Sequence, residues 1–442
     1  MQNSFTTIEH LYQIFKECDK KICTDSRNPI QDSIFFALSG ENFDGNKYAQ
    51  DAIDRGCKYA VISNSEYKKG ERFLLVEDVL FSLQRLAHHH RKQFTIPVIA
   101  ITGSNGKTTT KELIYEVLSK KYKTLATIGN LNNHIGVPLT LLRLDSSVEI
   151  AIIEMGANHQ KEIGMLSEIA SPDYGVITNI GKAHLEGFGG VDGVKKGKGE
   201  LFDFLKKNEG MVFYHADDDI LSGMAINLQK KFTYGTNKLY DVVGKMVSAE
   251  QYIDFKWKTR YGASSLNSSE TIRTHLVGKY NYYNLLCAAA IGNFFKVEED
   301  QINNALHSYI PTNNRSQMHL TENNKFILDM YNANPSSMQA ALENFAQLKA
   351  DDKTVILGDM LELGIETDEE HKKIISLATS KSIECFFVGK NFYRFKEEFK
   401  SVFFADVKEA LAHFKENRLQ HKTILIKGSR GIKLEELLSI LS

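Results

Sequence analysis

The sequence predicts an α/β protein of three domains: a small N-terminal α/β domain, a central parallel-sheet domain carrying a P-loop-type turn, and a C-terminal Rossmann-like domain. Three observations lead there. Short apolar runs of strand length alternate with helical patterns, as parallel sheets with crossover helices require. One of those runs leads straight into a glycine-rich turn and then a helix. A chain of 442 residues also exceeds what a single hydrophobic core ordinarily serves.

The elements follow in order. Within 1–95, the runs at 34–38, 59–62 and 73–76 read as strands, and 79–92 reads as a helix. Pro97 precedes a new apolar run, which sets a boundary near residue 95. Within 96–312, strands are expected at 98–102, 150–153 and 174–178, with a helix at 107–120. The segment 230–277 is more polar and strand-like, predicting a side sheet, and the alanine-rich stretch 281–295 predicts a buried helix. Within 313–442, apolar runs at 326–328, 354–357, 385–388 and 423–426 are separated by helical patterns, the arrangement of a second, smaller Rossmann-like sheet. No internal repeat is visible.

Composition narrows the function classes. Basic and acidic residues number 54 and 55, for a formal charge of −1, which gives no electrostatic footprint for nucleic acid or an anionic membrane. Only six prolines and no low-complexity tract argue against long disordered linkers. The stretch MQNSFTTIEHLYQIF lacks the basic region and apolar core of a signal peptide, and no run reaches the roughly 18 apolar residues of a membrane span. Cys18, Cys23, Cys57, Cys287 and Cys385 are scattered, without Cys-x-x-Cys spacing. Neither a zinc site nor a disulfide framework is expected, and a reducing cytoplasm fits best.

The sharpest local signal is the run Val98-Ile-Ala-Ile-Thr-Gly-Ser-Asn-Gly-Lys-Thr-Thr-Thr. Glycines at 103 and 106 let backbone N–H groups turn inward around phosphate oxygens, and the helix start that follows adds partial positive charge. Gly103, Ser104, Asn105, Gly106, Lys107, Thr108 and Thr109 are therefore candidate ATP-binding residues. Lys107 would reach the β and γ phosphates, and the Thr108 hydroxyl would bind Mg²⁺. The common Gly-x4-Gly-Lys-Thr pattern would need glycine at position 101, where this chain has Ile101.

Two further residues carry metal-type chemistry. Glu154 ends the apolar run at 150–153, and ligands gather at the C-terminal ends of parallel strands. The plain alternative is a strand-end acid capping the next turn. His184 similarly follows the strand at 174–178 and reads equally well as a structural histidine or as a ligand. Lys195, Lys196 and Lys198 form a basic cluster that composition alone would assign to a solvated helix face.

At these residues the chain resembles the Mur ligases of peptidoglycan synthesis over nearly its whole length. The form Gly-Ser-Asn-Gly-Lys-Thr-Thr is similar to that family's phosphate loop, which accounts for Ile101. Supporting stretches are Thr24-Asp-Ser-Arg, Asn132-Asn-His-Ile-Gly-Val-Pro-Leu-Thr, Ile153-Glu-Met-Gly-Ala-Asn-His, Ala183-His-Leu-Glu-Gly-Phe-Gly, Tyr331-Asn-Ala-Asn-Pro-Ser-Ser-Met, Leu357-Gly-Asp-Met-Leu-Glu-Leu-Gly and Ile426-Lys-Gly-Ser-Arg. Their order and spacing carry the assignment more than any one of them.

The resemblance implies an ATP-dependent carboxylate–amine ligase working through an acyl phosphate. It implies UDP-N-acetylmuramoyl-tripeptide and D-alanyl-D-alanine as substrates, with two Mg²⁺ ions. Lys107, Lys198 and His184 are the implied catalytic residues. Thr108, Glu154, His184 and a carbamylated Lys198 are the implied metal ligands. Asn284, Arg315 and Asp329 are implied on the ATP side, and Ser26, Arg27, Asn332 and Asn334 on the substrate side. The N-terminal domain would hold the nucleotide sugar, and the protein would act as a monomer.

Two departures stand out. Relatives often carry Pro-x-x-Gly-Arg before the third domain, whereas this chain reads Pro311-Thr-Asn-Asn-Arg315, and His134 stands where an acidic residue is common. A ligase of the same superfamily that adds diaminopimelate, lysine or glutamate is the nearest alternative. A P-loop regulator without ligase chemistry, or an interaction protein, would lack a reason for the metal-type residues.

Overall fold

The protein is described by a computed structural model covering residues 5–261, 266, 269–350 and 352–441. The described residues form three sheets of four, nine and six strands, in an α/β architecture. Residues 262–265 and 267–268, part of the segment expected to form a side sheet, lie outside the described residues, as do the first four residues of the N-terminal stretch. By packing, the chain divides into two compact units. One holds the described residues up to Ala100 with Tyr122–Gly156 and Glu162–Tyr174; the other holds Ile101–Lys121, Ala157–Lys161 and the described residues from Gly175 onward.

The first unit contains a four-stranded parallel sheet in chain order: Ile22–Cys23, Ile34–Phe36, Tyr59–Ile62 and Phe73–Leu75. Phe35, Ala37, Ala60, Ile62, Phe73 and Leu75 pack with Ala49, Ala52 and Ile53 into one apolar cluster. Helix Val79–Arg91 begins where the sequence expects it. The Asp78 carboxylate accepts from the Phe81 N–H at 2.7 Å, satisfying one of the free N–H groups of the first turn. His90 on that helix is fully buried, its Nε2 against the Leu144 carbonyl at 2.8 Å and its Nδ1 against the Tyr12 hydroxyl at 3.2 Å.

The nine strands of the large sheet lie in the order Ile272–Arg273, Asp254–Thr259, Val242–Ser248, Lys231–Gly235, Met211–His215, Tyr174–Ile177, Val98–Thr102, Ile150–Glu154 and Thr124–Ala126. The side-sheet expectation is corrected here. Lys231–Gly235 pairs in parallel with Met211–His215, and Val242–Ser248 pairs in parallel with Lys231–Gly235, so the backbone ladder continues without a break. Asp254–Thr259 pairs antiparallel with Val242–Ser248, and Ile272–Arg273 antiparallel with Asp254–Thr259. The polar character of this segment is explained at strand Asp254–Thr259, which buries Phe255 and Trp257 and leaves the residues between them partly exposed. The helix Tyr282–Phe294 is apolar all round and buried, as its alanines predict.

The six-stranded sheet runs Gln317–Leu320, Lys325–Asp329, Thr423–Lys427, Lys353–Gly358, Glu384–Val388 and Val402–Phe404. Its four expected strands are present and parallel. The sequence reading missed two edge strands. Gln317–Leu320 pairs antiparallel with Lys325–Asp329, and Val402–Phe404 closes the other edge. Both are short and partly exposed; Gln317–Leu320 shows no apolar run, whereas Val402–Phe404 is a three-residue apolar run that the sequence reading did not use. Phe326, Leu328, Ile356, Phe386, Val388, Ile424 and Ile426 form the core of this sheet with Phe414 and Leu434.

Candidate active site

Strand Val98–Thr102 is fully buried and delivers the chain into the turn at Gly103–Gly106, after which helix Lys107–Leu118 begins. Both glycines are required by geometry. Gly103 has φ +142° and Gly106 has φ +78°, and a Cβ at Gly103 would lie 2.0 Å from Thr178 Oγ1. The turn is pinned by the segment after strand Tyr174–Ile177. Ser104 N–H donates to the Asn179 carbonyl at 3.0 Å, and Asn105 N–H donates to Asn179 Oδ1 at 3.1 Å. Thr178 Oγ1 and Asn179 Nδ2 both donate to the Asn105 carbonyl, at 2.6 and 3.0 Å. Lys107 folds back over the turn, its Nζ 2.8 Å from the Gly103 carbonyl. A preformed loop with an ammonium across its mouth is what binding a polyphosphate requires. Thr108 and Thr109, at the start of the helix, are buried.

Asn284 sits against this loop: a Cβ on Gly106 would come within 2.9 Å of the Asn284 amide. That amide is held by Asn281, to whose Oδ1 it donates at 2.9 Å. Asn334 reaches the loop from the C-terminal sheet, donating from Nδ2 to Asn105 Oδ1 at 2.8 Å. Its Oδ1 meanwhile accepts from Ser337 N–H at 2.9 Å, making Asn334 the N-cap of helix Pro335–Gln347. Asn332, two residues earlier, is exposed, and its carbonyl accepts from Lys427 Nζ at 3.2 Å. Lys427 is almost fully buried and pairs with Asp329 at 2.6 Å. Arg315 stacks on Tyr331, with its guanidinium carbon 3.6 Å from the ring centre.

The loop after Asn179 makes a second set of contacts with the C-terminal sheet. Lys182 N–H donates to Ser336 Oγ at 2.9 Å, and Lys182 Nζ pairs with Glu370 at 2.7 Å. His184 Nδ1 is hydrogen-bonded to Glu362 Oε2, which holds the Glu362 carboxyl below the usual carboxylate range. Sequence reasoning missed Thr178, Asn179, Lys182, Glu362 and Glu370. Asn179 and Lys182 lie in the same stretch as His184, but partners so distant along the chain leave no local signal.

Lys198 is separated from its neighbours by burial. Lys195 and Lys196 are exposed, whereas Lys198 is 1% exposed. Its Nζ donates to the Ala157 carbonyl at 3.2 Å and lies 5.0 Å from the Phe188 ring centre. Glu154, Ser26 and Arg27 belong to the other unit. Glu154 is 1% exposed; its Oε1 accepts from Asn132 Nδ2 at 2.8 Å, and its N–H donates to Thr127 Oγ1 at 2.9 Å. Ser26 is buried, while Arg27 is exposed and clamped to Asp25 through Nε at 2.9 Å and Nη2 at 3.0 Å. That pair holds the Asp25 carboxyl down at about 2.

Among the described residues, no three His, Cys, Asp or Glu side chains gather around one metal-sized point. The expected donor set is compatible with this. A hydroxyl, a carboxylate, an imidazole and a carbamate supply only two side chains of those types, and Mg²⁺ usually keeps waters and phosphate oxygens as its remaining ligands. The chemistry of the donors therefore fits a nucleotide-bound Mg²⁺ better than a protein-only cage.

The family model described as the Mur ligase middle domain matches residues 101–292, and that described as the Mur ligase glutamate ligase domain matches 314–430. The chain is 34% identical to the UDP-N-acetylmuramoyl-tripeptide–D-alanyl-D-alanine ligase of Bacillus subtilis, covering 94% of this chain and 92% of the relative. It is 33% identical to the Escherichia coli ligase of the same name, covering 95% and 93%. A crystal structure of MurF from Acinetobacter baumannii superposes with a TM-score of 0.85 at 32% identity, covering 95% and 92%. With so much of both chains aligned, and the phosphate loop at the start of the middle-domain match, this chain belongs to the Mur ligase family.

Proposed function

We propose that this chain uses ATP to join D-alanyl-D-alanine to UDP-N-acetylmuramoyl-tripeptide, forming the pentapeptide precursor of peptidoglycan with release of ADP and phosphate. The observation that carries the reading is the likeness to ligases of that name over more than nine-tenths of both chains. The pinned phosphate loop supports the ATP half of it.

The need for ATP follows from the chemistry. A carboxylate is a poor electrophile because its charge is delocalised and oxide is a poor leaving group. Its oxygen attacks the γ-phosphorus, the bond to ADP breaks, and an acyl phosphate forms. The free amine of the dipeptide attacks the acyl carbon, phosphate leaves, and the nitrogen loses its proton. Lys107 spreads positive charge over the transferring phosphoryl, and the loop N–H groups hold the β-phosphate. Asn284 lies on the nucleotide side, with Arg315 and Asp329; Asn332 and Asn334 face the peptide substrate, and Ser26 and Arg27 the nucleotide sugar. Thr108, Glu154, His184 and a carbamylated Lys198 would hold two Mg²⁺ ions, which neutralise phosphate charge when bound. Domains at 1–95, 96–312 and 313–442 belong to this reading, as do a monomeric state and a cytoplasmic location. Among the described residues no helix is long and apolar enough to cross a membrane.

The test supplies UDP-N-acetylmuramoyl-tripeptide, ATP and Mg²⁺ with D-alanyl-D-alanine or single amino acids, and measures phosphate release and product mass. Release dependent on the dipeptide is expected. Release with one free amino acid alone would contradict the reading.

A further inference from the structure

We infer that Glu362 is a positioning residue for His184, delivered from the C-terminal sheet to fix the imidazole tautomer that a metal ligand needs. This rests on the ligase reading given above. A ligating histidine typically donates its other ring N–H to a carboxylate, which orients the ring and makes the ligating nitrogen more basic. Here Glu362 Oε2 faces His184 Nδ1, and a carboxylate there accepts from Nδ1–H, the tautomer whose lone pair is on Nε2.

The contact is built on both sides. His184 has φ +52° and Glu362 φ +64°, left-handed conformations that non-glycine residues adopt at a cost and that cluster at functional sites. The Glu362 carbonyl also accepts from Glu186 N–H at 3.4 Å. A Cβ added to Gly364, itself at φ +57°, would lie 3.1 Å from Glu186 Cβ, a close approach of the two segments. The loop carrying Glu362 is tied down by three hydrogen bonds to His371 and Ser429. Met360 N–H donates to buried His371 at 3.1 Å, Leu361 N–H to Ser429 Oγ at 3.1 Å, and Ser429 N–H to the Asp359 carbonyl at 3.1 Å. A loop this constrained presents its carboxylate in one place.

The neighbouring ion pair between Lys182 and Glu370 of helix Thr367–Thr379 ties the His184 segment to the C-terminal part of the chain without touching His184, so it separates positioning from mere docking. The experiment uses the full chain saturated with a non-hydrolysable ATP analogue. Mn²⁺ binding is followed by its paramagnetic resonance signal in the wild type, Glu362→Ala, Glu362→Gln and Glu370→Gln. Glu362→Ala is expected to weaken Mn²⁺ binding by about 10- to 100-fold. Glu362→Gln, which keeps an acceptor oxygen but no charge, is expected to weaken it less, and Glu370→Gln to bind as the wild type does. Wild-type affinity in Glu362→Ala, or equal losses in the Glu362 and Glu370 variants, would overturn the inference. Because this readout needs no turnover, a wild type that binds Mn²⁺ but releases no phosphate with D-alanyl-D-alanine would sink the substrate assignment and leave the Glu362 result standing.

Discussion

Of the lysines in helix Val191–Lys207, Lys195 and Lys196 face solvent and Lys198 does not. Burying an ammonium is costly, and converting it to a carbamate turns a cation into a metal-type anion. Lys198→Ala is therefore expected to lower phosphate release by about 100-fold or more, the scale of losing one electrostatic contributor. Added formate or acetate should restore part of the rate by occupying the vacated space; phosphate release that no short acid raises would count against the carbamate. A second prediction concerns stability. Burial pushes the His90 pKa below its ordinary value, so the folded chain keeps the ring neutral while the unfolded chain protonates it. Its contribution is thus present above the unfolded pKa, near 6.5, and is lost as pH falls toward the folded value. Urea midpoints measured from pH 8 to pH 5 should fall less steeply in His90→Gln than in the wild type, and parallel curves would contradict this. At this scale the sequence was legible where local pattern sufficed, as at Gly103 and Lys107. The choice of Lys198 over Lys195 and Lys196 needed burial, and Glu362 needed a through-space partner 178 residues away.

Among the elements, helix Pro335–Gln347 ties structure to the site. Asn334 caps it with one amide atom and reaches Asn105 with the other. Asn334→Asp keeps an acceptor for the Ser337 N–H, so thermal stability should stay within about 0.5 kcal/mol of the wild type. It loses the donor to Asn105 and adds negative charge beside the phosphate loop, so turnover should fall by about 10-fold or more. Asn334→Ala loses the cap as well, and is expected to be about 1 kcal/mol less stable in thermal or urea unfolding. Equal turnover of Asn334→Asp and wild type would show that the Asn105 contact has no part in catalysis. The strands at 98–102, 326–328, 354–357 and 423–426 could be read in advance because buried parallel strands are continuous apolar runs. The edge strand Gln317–Leu320 could not, since it is partly exposed and lacks that pattern, whereas Val402–Phe404 carries a three-residue apolar run that the sequence reading did not use. The described part of the segment expected to form a side sheet contains strands, but they continue the large sheet, because polarity reports exposure and not which strand lies alongside.

For the molecule as a whole, the account requires one chain to hold ATP, a nucleotide-linked peptide and a dipeptide while a water-labile acyl phosphate exists. The contacts from Asn334, Ser336, Glu362 and Glu370 onto the segments around the phosphate loop supply a way to cover the nucleotide end of that site. In the proposed reaction the peptide carboxylate is activated by direct phosphorylation. The most direct measurement labels the terminal carboxylate of UDP-N-acetylmuramoyl-tripeptide with ¹⁸O, runs the ligation with ATP, Mg²⁺ and D-alanyl-D-alanine, and weighs the products. One labelled oxygen should pass from the carboxylate into the released phosphate, with ADP unlabelled. Unlabelled phosphate, or label carried away on AMP, would contradict the account.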